Sequence, residues 1–63
     1  MVGKRIKEYL VANGIKQSFL AEKTGISQMA ISDICNKDRK IDVVEYEAIC
    51  SALNVPLERF LKE

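Results

Sequence analysis

Residues 21–32 read AEKTGISQMAIS, and a glycine stands where two helical rhythms meet. Leu20, Ala21 and Thr24 recur at helical spacing before it, and Ile31, Ile34 and Cys35 after it. Inside one continuous helix that glycine would cost roughly 1 kcal/mol against alanine. Two short helices linked only by Gly25 and Ile26 resolve the conflict. A link this short turns the chain only where one residue takes positive φ, which glycine does without steric penalty. The spacing therefore predicts a helix from about Gln17 to Thr24, a left-handed stop at Gly25, and a further helix from Gln28 to about Cys35. The hydroxyl of Ser27 meets the free N–H groups of that second helix. Ala21, one turn before the glycine, is small enough to admit its neighbour closely, and Ile26 drops into the core between the two.

Val2, Ile6, Tyr9 and Leu10 fall at i, i+4, i+7 and i+8, the stripe of a preceding helix that Asn13-Gly14 stops. After the polar, basic stretch NKDRKI at 36–41, Asp42 and Glu45 make a D-x-x-E capping box. Val43, Tyr46, Ile49, Cys50 and Leu53 then form the inner stripe of a fourth helix, and Asn54 ends it. Pro56 suits the first position of a fifth helix, whose apolar residues are Leu57, Phe60 and Leu61. No strand pattern competes. The expectation is an all-α, five-helix fold occupying residues 1–63 as one domain.

At 63 residues the chain is near the lower limit for independent folding, where only about 60% of the unfolded surface is buried. Almost every apolar side chain is then needed inside. The apolar runs are far shorter than the roughly 20 residues that cross a bilayer, and nothing resembles a secretory leader. A cytoplasmic protein without membrane contact is expected. There is no histidine, and Cys35 and Cys50 are not in a CxxC arrangement, so no zinc set can be assembled. Both thiols are read as buried, reduced hydrophobes. With no nucleophile beside a base and no phosphate-binding glycine loop, neither an enzyme nor a cofactor is expected.

The net charge of +1 is not that of a polycation, but its distribution is uneven. Residues 1–41 hold eight basic and four acidic side chains, net +4, and residues 42–63 two basic and five acidic, net −3. A chain polarised in this way can present one basic face, which a phosphate backbone attracts.

The spacing Gln17, Leu20, Ala21, Gly25, Ile26, Ile31, Ile34 resembles the helix-turn-helix of the phage Cro and lambda-type repressors and their xenobiotic-response-element (XRE) relatives. The resemblance runs from MVGKRIKEY through TGIS to ALNVPLERFL, nearly the whole chain. It implies a transcriptional regulator, a repressor by analogy, that binds a near-palindromic site on double-stranded DNA as a homodimer. The second helix of the motif would enter the major groove and read base edges from its N-terminal residues.

On this resemblance the base-reading candidates are Gln28, Met29, Ser32 and Asp33. Gln28 can pair its amide with adenine N6 and N7, or it is a solvated surface residue. Met29 can cover a thymine methyl or serve a protein partner. Ser32 carries little base information, and Asp33 either accepts from a cytosine N4 or has a local role on the helix surface. Gln17, matching the glutamine that opens the motif's first helix in this family, is expected to bond a phosphate. Asn36, Lys37, Arg39 and Lys40 are candidates for the same backbone strand, with Arg39 and Lys40 acting as a pair.

The sequence also departs from the family. Where many members pair an arginine late in the first helix with a glutamate at the end of the third, this chain has Leu10 and Cys35, an apolar replacement of both partners. Phe19 occupies a commonly polar position, and Lys37 replaces the usual glycine after the third helix. The dimer interface is assigned to the C-terminal segment, with Leu57 and Phe60 projecting outward and Leu61 inside. The alternative function is a protein-interaction module that keeps the fold and pairs with another regulator, as an antirepressor or antitoxin partner would; a protein antagonist is a further candidate partner.

Overall fold

In a computed structural model, which describes residues 2–37 and 39–61, the chain forms α1 (Val2–Ala12), α2 (Gln17–Thr24), α3 (Gln28–Asn36) and α4 (Val43–Leu53). A single 3-10 turn, Leu57–Phe60, comes after α4. No strand occurs among the described residues. Helix α3 packs against both α1 and α2, α2 also meets α4, and the 3-10 turn closes onto α1 and α4. One core results. Ile6 and Leu10 of α1, Leu20 of α2, Ile31 and Cys35 of α3, Ile49 and Cys50 of α4, and Phe60 are all buried in it. Each large side chain among them contributes about 1.5–3 kcal/mol by leaving water.

The turn between α2 and α3 forms as its composition dictates. Gly25 has φ 77° and returns its N–H to the Ala21 carbonyl at 2.9 Å. The Thr24 hydroxyl donates to the Leu20 carbonyl at 2.8 Å and accepts from the Ile26 N–H at 3.2 Å, so side-chain chemistry completes the helix end. Ile26 is half-buried against the core, and so is Ala21. At the start of α4 both halves of the capping box are present: Asp42 Oδ1 accepts from the Glu45 N–H at 2.7 Å, and Glu45 Oε1 accepts from the Asp42 N–H at 3.3 Å. Asn54, at φ 57°, ends α4 in the left-handed conformation.

A second glycine matters for a different reason. Gly3 lies within α1, and a Cβ placed on it would sit 2.1 Å from the Ile34 carbonyl oxygen. The backbones of α1 and the C-terminal half of α3 therefore approach more closely than any other residue permits. The sequence pattern carries no mark of this contact.

The C-terminal segment differs from expectation in three respects. The predicted fifth helix is a single 3-10 turn, held by bonds from the Arg59 N–H to the Pro56 carbonyl at 3.0 Å and from the Leu61 N–H to the Glu58 carbonyl at 3.1 Å. In an α-helix the Leu57 carbonyl would accept from the Leu61 N–H. Here the Tyr46 hydroxyl donates to that carbonyl and accepts from the Phe60 N–H. Phe60, expected outside, is 1% exposed. Its ring meets Tyr9 edge-on at 5.6 Å and Tyr46 at 6.4 Å, and the Arg5 guanidinium donates to its carbonyl at 3.0 Å. Leu61, expected inside, is exposed, as is Leu57. Val43, expected on the inner stripe of α4, is exposed as well, because it faces an open groove with Val2 and Leu57 rather than the closed core.

Candidate nucleic-acid interface

The N-terminal end of α3 is built by Ser27, whose Oγ accepts from the Ala30 N–H at 3.1 Å with its own backbone extended. The cap satisfies one free donor of the first turn and leaves the positive end of the helix dipole facing outward. Gln28 and Met29 come immediately after it, both exposed, Met29 by 76%. Among the described residues, the Gln28 amide makes no hydrogen bond, so its donor and acceptor are both available.

Farther along α3 the polar side chains are engaged with one another. Asn36 Nδ2 donates to Ser32 Oγ at 3.1 Å, and the Lys37 ammonium lies 3.8 Å from the Asp33 carboxylate. Ser32 and Asp33 are half-buried, whereas Asn36 and Lys37 are exposed. The four predicted base-reading residues share one helix, but only its first two present free side chains.

The loop after α3 needs no glycine. Lys37 ends the helix at φ −113°, an ordinary conformation for any residue, with its N–H on the Asp33 carbonyl at 2.9 Å. The Arg39 N–H bonds the same carbonyl at 3.2 Å, which folds the loop back beneath the helix end. The Arg39 guanidinium then turns toward α4: Nη1 donates to Glu45 Oε1 at 3.2 Å and Nη2 to Oε2 at 3.3 Å. Lys40 is exposed and has no side-chain partner among the described residues. Arg39 and Lys40, expected as a pair, are thus held differently. Glu45, read from the sequence only as a helix cap, also binds the loop; a carboxylate and an arginine six residues apart across a loop follow no helical or strand spacing that would have revealed it.

Gln17 is the first residue of α2 and half-buried, after an extended Lys16. Phe19 lies on the outer side of the same helix, 43% exposed, with the Lys23 ammonium 5.7 Å above its ring. Leu10 and Cys35, the apolar replacements for the family's ion pair, are both buried in the shared core. Burial pushes the Cys35 thiol above its usual range, with Lys7 opposing in part, and burial raises Cys50 likewise. Both are neutral hydrophobes at ordinary pH.

At the other end of the chain, Val2, Ile41, Val43, Tyr46, Leu57 and Leu61 line an open apolar groove of about 410 Å³ beside Asp42 and Glu47. Of the two residues predicted for a dimer interface, Leu57 reaches this groove and the buried Phe60 does not. Among the described residues no helix is long and apolar enough to cross a membrane, and no cluster of side chains could hold a metal ion. Residues 6–60 match the helix-turn-helix family. No curated protein matches the chain.

Proposed function

The chain belongs to the XRE and lambda-repressor-like helix-turn-helix family of DNA-binding regulators, and we propose that it is a cytoplasmic, sequence-specific repressor binding a near-palindromic operator as a homodimer. The observation that carries this reading is the capped end of α3, where Gln28 and Met29 stand exposed and the Gln28 amide has no hydrogen-bond partner among the described residues. A glutamine so placed matches the N6 and N7 edge of adenine, and Met29 can cover a neighbouring thymine methyl. Gln17 at the start of α2 and the loop carrying Lys40 supply phosphate contacts, which orient α3 without choosing sequence.

A domain of this size reads few base pairs, so a second copy on the adjacent half-site supplies the remaining specificity. The apolar groove, with Leu57 and Leu61 exposed along it, supports a self-complementary contact there. Leu61 replaces Phe60 in this assignment because Phe60 is committed to the core. Leu57→Glu, whose charge would appear twice across the symmetry axis, should sediment as a folded monomer with poor operator affinity; a dimer of normal affinity would remove the assignment.

Selection from random duplex DNA tests the main reading. It should return a site with two related halves, bound more weakly as salt rises. A second reading is docking to a protein, supported by the exposed Phe19 and Val11. Such a complex would withstand salt, and the selection would return no common sequence.

A further inference from the structure

The loop between α3 and α4 holds two adjacent cations with opposite fates. The Arg39 guanidinium makes two parallel bonds to the Glu45 carboxylate, at 3.2 and 3.3 Å. That is the fork geometry in which arginine and carboxylate bind most strongly. Glu45 is itself fixed: its side chain is only 17% exposed, and Oε1 also accepts from the Asp42 N–H within the capping box. The Arg39 backbone is tied to the Asp33 carbonyl at the end of α3. Swinging the guanidinium toward a phosphate would break two charge-assisted bonds and leave Glu45 without its counter-charge. Lys40, one residue on, has nothing to give up among the described residues.

We propose that Glu45 is a positioning residue that decides which cation of this loop meets the duplex: it withholds Arg39 from the phosphates and leaves the contact to Lys40. The inference rests on the DNA-binding reading and deepens it. Arg39 then serves as a latch between the C-terminus of α3 and the N-terminus of α4, which fixes the loop from which Lys40 projects. Lys37, whose ammonium pairs with Asp33 at 3.8 Å and is 79% exposed, stays the same whether Arg39, Lys40 or Glu45 is replaced, so its contribution cancels between variants.

The dependence of log K on log salt separates the two cations, because each phosphate contact contributes about one to the slope. On the selected operator, Arg39→Ala should keep the slope of the parent while lowering the melting temperature, and Lys40→Ala should make the slope shallower by about 1. Glu45→Gln retains the capping bond to the Asp42 N–H but loses the ion pair. It frees Arg39 and should steepen the slope by up to about 1. The double variant Arg39→Ala with Glu45→Gln should return to the parental slope, an outcome that a merely structural role for Glu45 does not produce. Arg39→Ala with a slope shallower by about 1, or Glu45→Gln with an unchanged slope, would overturn the assignment while leaving DNA binding intact. A parent protein whose affinity does not fall with salt would overturn the DNA-binding reading itself, and this inference with it.

Discussion

The two ends of α3 are each set by a glycine, and the two glycines act by opposite routes. At the N-terminal end Gly25 supplies a backbone conformation, φ 77°, and a Cβ placed there would meet nothing within 4 Å. At the C-terminal end Gly3, reaching across from α1, supplies the absence of a side chain: its Cβ would lie 2.1 Å from the Ile34 carbonyl oxygen. The side chains follow the same division. Gln28 and Met29 project from the first end, whereas Ser32 with Asn36 and Asp33 with Lys37 are paired at the second. Bonds made by Gln28 to a base would break none of the protein's own, but Asn36 would have to surrender Ser32. One end of the helix is thus tied down by its own polar pairs and the other is left free, so any ordering cost of a contact made by α3 falls on the side chains of Gln28 and Met29 alone.

The largest expected effect comes from Gly3→Ala. Helix propensity alone would make this change stabilising by about 0.5–1 kcal/mol. The close approach reverses the sign, since a carbonyl of the backbone cannot step aside as a flexible side chain can; α1 must withdraw from α3, and the net loss, with the propensity gain included, is about 1–3 kcal/mol. At about 4–8 °C per kcal/mol for a chain of this size, thermal melting should fall by about 5–20 °C. A variant that melts above the parent would show that α1 and α3 do not meet as described, and the contrast between the glycines would collapse.

Gly25→Ala should be milder, about 1–2 kcal/mol, the cost of holding an L-residue in the left-handed region. Because space is not the constraint there, Gly25→Asn should cost less still, asparagine being the side chain that best tolerates that conformation after glycine. D-Alanine introduced at position 25 by chemical synthesis should melt at or above the parent, since positive φ is its preferred region. If D-alanine were as damaging as L-alanine, the reason for Gly25 would be steric, and the two ends of α3 would be governed by the same physics.

That difference also decides what could be read from the sequence. Gly25, the Ser27 cap and the Asp42–Glu45 box are local devices, completed within about four residues, and the pattern of the chain announces each of them. Gly3 acts on Ile34, far along the chain, and a glycine in the first turn of a helix looks incidental until the partner backbone is known. Phe60 and Leu61 exchanged their expected places because the Phe60 ring packs edge-on against Tyr9 and Tyr46, a tertiary contact that no spacing within the last turn records. The candidate site divides in the same way. The exposure of Gln28 and Met29 follows from helix periodicity, but the capture of Arg39 by Glu45 depends on the path of a loop that no periodicity describes.

The free end of α3 is tested by the base contact it offers. Gln28→Ala should lose about 1–3 kcal/mol on the selected operator and relax the preference at one base pair. Asn36→Ala, whose side chain is engaged with Ser32, should lose less than about 1 kcal/mol of operator affinity, no more than one uncharged hydrogen bond is worth, and should leave the preference unchanged. Titration against operators altered one base pair at a time distinguishes them. Equal losses by Gln28→Ala on operator and random DNA would make that residue a positioning contact, and a relaxed preference in Asn36→Ala would move the reading end to the other side of the helix.

The smallest effect belongs to Asp33→Asn, and its sign is the most informative. Asp33 sits in the second half of α3, where the helix dipole disfavours a negative charge, and its exposed pair with Lys37 at 3.8 Å offsets this by no more than about 0.5 kcal/mol. The two contributions nearly cancel, so melting should not move measurably. Binding should move if α3 enters the groove as proposed, because a carboxylate carried there repels the phosphates on every sequence. Removing its charge should strengthen operator and random DNA alike by a few tenths of a kcal/mol, about twofold at low salt and less as salt rises. Were Asp33 to accept from a cytosine N4, the same substitution would weaken the operator alone by about 1–3 kcal/mol. That requires the carboxylate to leave Lys37 and turn toward the groove, and a loss confined to the operator would show that the tied end of α3 also reads bases.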